Sequence, residues 1–184
     1  MKGRVVEEAI ATIKFDESHF LRERSDEPEK LIQAIAVLHA HKSDDQEEVY
    51  RIQSMLGYLY RVIGDSESAL TCYHTCHSIV VKQKKKHAII ATLIRIGETL
   101  KYAERHDEAL RMFEQAKDYA VKHQTLQYDD FILQHKGKCL WEMNQLKEAN
   151  ACFEAAYQLR LEKNDKALIS STKQALTLVK TDYC

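Results

Sequence analysis

The stretch LGYLYRVIGDSESALTCYHTC, residues 56–76, decides the fold because its outline recurs twice more along the chain. The recurring columns are glycine at 57, 97 and 137, alanine at 69, 109 and 149, an aromatic residue at 73, 113 and 153, and a small residue at 76, 116 and 156. The chain has only five glycines in 184 residues, so three of them at one spacing are not a coincidence. The sequence therefore contains an internal repeat of forty residues.

The spacing within one unit predicts a pair of packed helices. Gly57 and Tyr60 are three residues apart and share a face of a first helix. Ala69, Tyr73 and Cys76 are spaced by four and three, so they share a face of a second helix. The small residues let the two helices approach closely, and the aromatic ring fills the space beside that contact. Glycine costs a helix about 1 kcal/mol relative to alanine, which a packing requirement explains.

The repeat predicts three helix pairs with short turns between their members. The predicted helices are 46–62 with 66–82, 87–103 with 107–123, and 127–143 with 146–162. Asp65 or Ser66, Asp107 and Asn144 are the residues expected to cap the second helices, because their side chains accept hydrogen bonds from backbone N–H groups.

The flanking segments also look helical. Pro28 opens a helix that is expected to reach about His41, and residues 4–22 are expected to form one helix or a broken pair. An amphipathic stretch over 167–179 is expected to cap the open end of the array. The predicted division is a divergent repeat or cap over 1–45, three repeats over 46–163 (46–85, 86–125 and 126–163), and a capping helix and tail over 164–184.

Composition narrows the class of protein. The 27 basic and 28 acidic side chains give a net charge of −1, which argues against a dedicated nucleic-acid binder. One proline and five glycines are too few for sandwiches, barrels or doubly wound folds, so an all-α protein is expected. No apolar stretch is long enough to span a membrane.

The ends and the cysteines suggest where the protein works. Glu7 and Glu8 interrupt the N-terminal sequence, which therefore does not read as a secretory signal. Five cysteines without a CxxC motif argue against a disulfide framework, so a cytoplasmic location is expected. Cys72, Cys76 and the adjacent His77 could begin a metal site, but two buried thiols are the favoured interpretation, and no metal is predicted.

The columns resemble the tetratricopeptide repeat, in the longer form of Leu-Gly-Asn repeat adaptors, kinesin light chains and bacterial Rap-type regulators. The resemblance covers about residues 50–162, although the closing proline is absent and Lys136 stands where Leu56 and Ile96 stand in the other units. It implies an α-solenoid of antiparallel helix pairs wound into a right-handed superhelix. It also implies that the first helix of each unit lines a concave groove.

Carried over by column, the resemblance gives candidate residues for a peptide-binding groove. They are Arg51, Tyr58 and Arg61 in the first unit, Arg95, Glu98 and Lys101 in the second, and Phe131, Lys138 and Trp141 in the third. Cations outnumber carboxylates and aromatic rings lie among them, which suits an acidic peptide with apolar anchors. The open alternatives are an ordinary solvated helix face, with the rings buried between units, or a partner on the convex side.

Catalytic signatures are missing from the sequence. It contains no glycine-rich phosphate loop, HExxH or GxSxG motif, so neither an enzyme nor a cofactor is expected. The lysine-rich run 82–87 is interpreted as a solvated turn between units. The predicted function is a non-enzymatic scaffold that binds a protein or peptide, with no nucleic acid and no membrane as partner. The alternatives are a regulator that senses a short signalling peptide and a module that self-associates as a homodimer.

Overall fold

A computed structural model describes residues 2–182 of the chain, which divides into two compact units with the boundary after Lys84. The elements of unit 1 are α1 (Lys2–Ile10), β1 (Ile13–Asp16), β2 (Arg22–Ser25), α2 (Pro28–His39), α3 (Gln46–Ile63) and α4 (Ser66–Lys82). Those of unit 2 are α5 (Lys86–Tyr102), α6 (His106–Lys122), α7 (Asp129–Glu142), α8 (Leu146–Lys163) and α9 (Lys166–Thr181). Met1 of the predicted segment 1–45, and residues 183–184 of the predicted tail, lie outside the described residues.

Tandem helical hairpins confirm the predicted fold of antiparallel helix pairs. Helices α3 and α5 begin forty residues apart, and so do α4, α6 and α8 in turn. A short 3-10 turn at Leu126–Tyr128 stands where α7 was expected to begin, so α7 itself begins at Asp129. The predicted capping helix is α9, and it begins forty residues after that turn. Helix α9 therefore begins where the period places the first helix of a unit.

Each glycine of the repeat lies under the aromatic ring of its own unit. A Cβ atom added at Gly57 would lie 2.9 Å from the ring of Tyr73. The corresponding distances are 2.6 Å from Gly97 to Phe113 and 2.7 Å from Gly137 to Phe153. No side chain fits at such distances without displacing a buried ring. The packing reason that was predicted for the glycine column is therefore confirmed.

The turns between helices share one backbone conformation. A residue with positive φ occurs every twenty positions, at 64, 84, 104, 124, 144 and 164. In four of these turns a backbone N–H donates to the carbonyl five residues earlier at 2.9 Å, from Asp65 to Tyr60, from Arg105 to Leu100, from Thr125 to Ala120 and from Gln145 to Leu140. This is the hydrogen bond of the Schellman motif, which satisfies carbonyl groups at a helix end.

Two of the predicted helix caps are wrong for a reason that this motif explains. Asp65 does cap α4, since its side chain accepts a hydrogen bond from the backbone of Ser68 at 3.1 Å. Asn144 instead takes the positive-φ position, at 59°, that ends the preceding helix. Asp107 lies inside the first turn of α6, where its negative charge favours the helix start without capping it.

Residues 4–22 depart from the predicted helices. Helix α1 ends at Ile10, and β1 pairs antiparallel with β2, so that a two-stranded hairpin follows. Between the strands, the side chain of Asp16 accepts hydrogen bonds from the backbone and hydroxyl of Ser18. Phe20 and Leu21 then both adopt a φ of 56°. This side-chain-to-backbone turn competes with helix formation, and the helical prediction did not account for it.

A buried ionic cluster holds α9 in unit 2. Arg160 on α8 is 2% exposed and donates hydrogen bonds to the carboxylate of Asp130 on α7, at 3.0 Å, and to two oxygens on α9. The α9 acceptors are the carbonyl of Leu168, at 3.2 Å, and the hydroxyl of Thr172, at 2.5 Å. Lys163 binds the other oxygen of Asp130. Helix α9 is thus held against α7 and α8 by polar contacts as well as by apolar packing.

Candidate functional site

In unit 1 the hairpin covers part of the face on which the groove was predicted. Tyr58 and Arg61 are one turn apart on α3, and both donate to the carboxylate of Glu23 on β2. The Tyr58 hydroxyl lies 2.9 Å from Oε1, and Nη2 of Arg61 lies 2.7 Å from Oε2. The Arg61 guanidinium also lies 5.4 Å from the centre of the Tyr58 ring. Arg61 is only 4% exposed, so in this structure its charge is matched inside the chain.

Arg51, at the other end of the same face, is exposed and makes no side-chain hydrogen bond or ion pair with another residue of the described range 2–182. Beside it lies a cavity of about 420 Å³ between α1, α2 and α3. Its apolar lining consists mainly of Val6, Ile10, Val37, Leu38, Ile52 and Met55. A cavity of this size and polarity can take the apolar side chain of a ligand.

Carboxylates at the rim of this cavity moderate the positive charge. Glu7 and Glu48 both line it. Nε2 of His41 lies 2.8 Å from Glu48, and hydrogen bonds from Ser43 and then from His41 lower the pKa of Glu48 below its ordinary value. Glu48 therefore favours its ionised form, and the nearby positive charge of Arg51 also contributes to this shift.

In unit 2 the candidate residues divide into reachable and buried groups. Arg95, Glu98 and Phe131 are half-buried, so part of each side chain meets solvent. Lys101, Lys138 and Trp141 are buried, which leaves them little surface to offer a ligand in this structure.

Lys101 is buried because it belongs to a polar cluster with Glu142 and His106. Its ammonium lies 3.0 Å from one oxygen of Glu142, and Nε2 of His106 lies 2.9 Å from the other. The Glu142 side chain is 3% exposed, so these are strong contacts in a region of low dielectric. Lys101 therefore ties α5 to α7, and its charge is not directed at solvent.

The Trp141 side chain is also buried by contacts within the chain. Its indole N–H donates to Asp182, the residue that follows α9, at 2.6 Å. The ring also meets Phe153 edge to face, with the ring centres 6.3 Å apart. Phe131 differs, since it is half-buried and has two cations near its ring, Arg160 at 5.4 Å and Lys163 at 5.9 Å. In unit 2, therefore, Phe131 is the predicted aromatic anchor that keeps exposed surface.

The comparison with protein families shows to which family the chain belongs. The sequence model described as tetratricopeptide repeat matches residues 48–120, and a second model with the same description matches residues 132–163. The chain belongs to the tetratricopeptide repeat family. The matched segments together cover more than half of the chain, and they make it a helical-repeat module of the protein-interaction type. The sequence matches no curated protein.

Solved structures of tetratricopeptide-like proteins share the fold. A Rap protein complexed with Competence and Sporulation Factor matches with a TM-score of 0.70 at 17% identity, over 85% of this chain and 46% of that one. Aspartyl phosphate phosphatase F from Bacillus subtilis matches with a TM-score of 0.63 at 14% identity, over 95% and 45%. Kinesin light chain TPR-like repeats from Podosopora anserina match with a TM-score of 0.59 at 13% identity, over 97% and 84%. The chain spans less than half the length of the first two, and these likenesses show the fold alone.

Three contacts of the candidate groove residues were not predicted from the sequence. Glu23 and Asp182 each lie outside the three matched units, so no repeat column points to them. Glu142 follows Trp141 on α7 and so lies within the third repeat, but only the folded structure shows that it binds Lys101. In each case the partner is about forty residues away along the chain.

The cysteines of the first repeat behave as buried thiols, as predicted. Cys72 and Cys76 are both buried, and burial together with the charge of Asp65 raises the pKa of Cys72 to about 11. The thiol of Cys76 points at the carbonyl of Tyr50 at 3.5 Å. Within residues 2–182, no three histidine, cysteine or acidic side chains come together as a metal site would require. No described helix is long and apolar enough to cross a membrane.

Proposed function

We propose that the chain is a non-enzymatic scaffold of the cytoplasm that binds a protein or peptide segment on the groove face of its repeats. The observation that carries the proposal is Arg51, an exposed cation beside an apolar cavity on the predicted groove face of α3. Unit 2 offers a second patch of its own, in which the half-buried Arg95 and Phe131 are reachable. A cation next to an apolar recess suits a peptide that carries acidic residues and apolar anchors.

The test uses peptides selected from a random library on the purified chain. We expect the selected peptides to be rich in acidic and apolar residues. Arg51→Glu and Arg95→Glu should each weaken their binding by about two- to fivefold, the range for exposed ion pairs. Arg111→Glu is the matched control. It makes the same change of charge at an exposed position of α6, which is the second helix of its pair and does not carry the predicted groove face.

The charge reversal must avoid Arg61. Its guanidinium is buried against Glu23, so a glutamate there would break an internal ion pair and would test folding instead of binding. If Arg111→Glu weakens binding as much as the two groove variants do, only the overall charge matters. If neither groove variant has an effect, the partner binds elsewhere, and the convex side becomes the better candidate.

A regulator that senses a short signalling peptide is the second candidate. The likeness to a Rap protein that was solved in complex with Competence and Sporulation Factor is the observation that favours it. Truncating a selected peptide in steps distinguishes the two. A sensor should keep full affinity for a segment of a few residues, whereas a scaffold should lose affinity with each shortening because it contacts an extended partner. Self-association is measured separately, by light scattering across a dilution series.

A further inference from the structure

We propose that the cavity between α1, α2 and α3 binds one bulky aliphatic side chain of a peptide that carries an acidic residue on one side of this anchor and a basic residue on the other. Arg51 on α3 pairs with the acidic residue, and Glu7 on α1 pairs with the basic one. The proposal rests on the proposed function and adds to it the order of charges around one anchor residue.

The apolar walls of this cavity are held in place by the core behind them. Helix α1 packs against α2, and α2 packs against α3, and the cavity of about 420 Å³ lies where the three helices meet. Five of the lining side chains are half-buried and pack against the buried core of unit 1, namely Val6, Ile10, Leu38, Ile52 and Met55. The core therefore supports the walls whether or not a ligand is bound.

The chemistry of the lining selects an aliphatic group. These five side chains and Val37 offer hydrocarbon and thioether surface to a ligand, and none of the six carries an N–H or O–H donor. A polar group placed among them would lose its hydrogen bonds to water without replacement, which costs free energy. The volume lies within the range of ordinary ligand pockets. A leucine, isoleucine or methionine side chain is therefore the group that suits this cavity.

Opposite charges stand on the α1 and α3 walls. Glu7 and Arg51 are both exposed, and both line the cavity. The other charged residues of the lining are His41 and Glu48, which contact each other at 2.8 Å. Because Arg51 also acts on Glu48, the rim has no excess of positive charge, and a purely acidic ligand gains little there. A ligand that presents a base to α1 and an acid to α3 matches both walls.

The experiment titrates the full chain with three acetylated and amidated pentapeptides and follows methyl chemical shifts. Each peptide has a central leucine between two serines, and its ends are lysine and glutamate, two glutamates, or two lysines. We expect the mixed-charge peptide to bind about two- to fivefold more tightly than the other two, the range for exposed ion pairs. It should shift the methyl signals of Ile10, Leu38 and Met55. Alanine in place of its leucine should weaken binding about tenfold, because less apolar surface is then buried.

Exchange of the two wall charges tests their roles. E7R should shift the preference to the peptide with two glutamates, and R51E should shift it to the peptide with two lysines. The double variant E7R/R51E should restore the preference for the mixed-charge peptide, because the two charges have only changed places. E29R makes the same change of charge at an exposed position of α2 in the same unit and should keep the wild-type order.

Three results would each overturn the proposal: equal binding of the three peptides, a double variant that does not restore the wild-type order, and methyl shifts that occur only away from the cavity. The proposed function has a separate measurement, since Arg95 lies in unit 2. If library-selected peptides bind the chain and are weakened by Arg95→Glu, the proposed function survives the loss of the charge order. If no selected peptide binds, both proposals fall.

Discussion

The helices from α3 to α9 and the hairpin over 13–25 are specified in two different ways. The helices follow the forty-residue step, and each complete pair packs a glycine under an aromatic ring. The hairpin follows no period and depends on individual polar contacts, such as those of Asp16 in its turn and of Glu23 on α3. Periodic packing thus determines the arrangement of the repeat helices. Contacts of single side chains determine the hairpin, which departs from the repeat. Three substitutions, taken from the largest expected effect to the smallest, test this contrast.

Arg160→Ala should have the largest effect because it removes the buried anchor of α9. The change leaves Asp130 buried with Lys163 as its cation, and it breaks the hydrogen bonds to Leu168 and Thr172. Loss of one partner from a buried ion pair costs about 3–5 kcal/mol. Urea unfolding should show this loss, and hydrogen exchange should show it first in α9. The exposed Arg111→Ala is the control, and a loss below about 1 kcal/mol would mean that apolar packing alone holds α9.

Gly97→Ala should have an intermediate effect and tests the periodic packing itself. The added methyl group would lie 2.6 Å from the ring of Phe113, which is fully buried. Overpacking of this kind costs about 1–3 kcal/mol. Gly3→Ala in α1 is the matched control, since nothing lies within 4 Å of its added Cβ, and it should be neutral or stabilising. Thermal unfolding measures both, and similar midpoints for the two variants would contradict the packing argument.

Acid should affect the hairpin through Asp16. A hydrogen bond from Ser18, and then one from Arg24, hold the pKa of Asp16 well below its usual range. The ionised form is favoured in the fold, so its stabilisation is present above the ordinary value of about 3.9 and is lost as the pH falls below that value. We expect cross-strand nuclear Overhauser effects between Ile13 and Ser25 to weaken in acid. Asp16→Asn should show weak effects at every pH, and a wild-type hairpin that persists at the lowest pH would refute this role.

The sequence predicted the scaffold well because the pattern repeats. Three copies of one spacing placed the starts of α3, α4, α5, α6 and α8 within one residue of their true positions. The sequence did not predict the hairpin because its turn depends on the single residue Asp16. A feature that occurs once in the chain cannot be recognised from a repeat spacing. Asn144 was misassigned because asparagine both caps helices and tolerates positive φ, and the sequence cannot say which use applies.

The sequence assigned the candidate groove residues to helices, but it did not predict how exposed their side chains are. The columns placed Arg61, Lys101 and Trp141 on the first helices, where the structure has them. Their burial depends on Glu23, Glu142 and Asp182, which lie 38, 41 and 41 residues away along the chain. No local pattern reports such contacts, because the fold alone decides which polar groups come together. The contribution of each residue to partner binding stays a prediction until the charge variants are measured.

The uniform turns make the chain modular in a way that protein engineering can use. Glu104 and Asn144 have φ values of 61° and 59°, and each closes its helix with the same hydrogen bond. The backbone thus enters and leaves the block 105–144 in one conformation. A gene that encodes this block twice would need no new linker at the splice, so a longer member of this architecture is reachable by duplication alone.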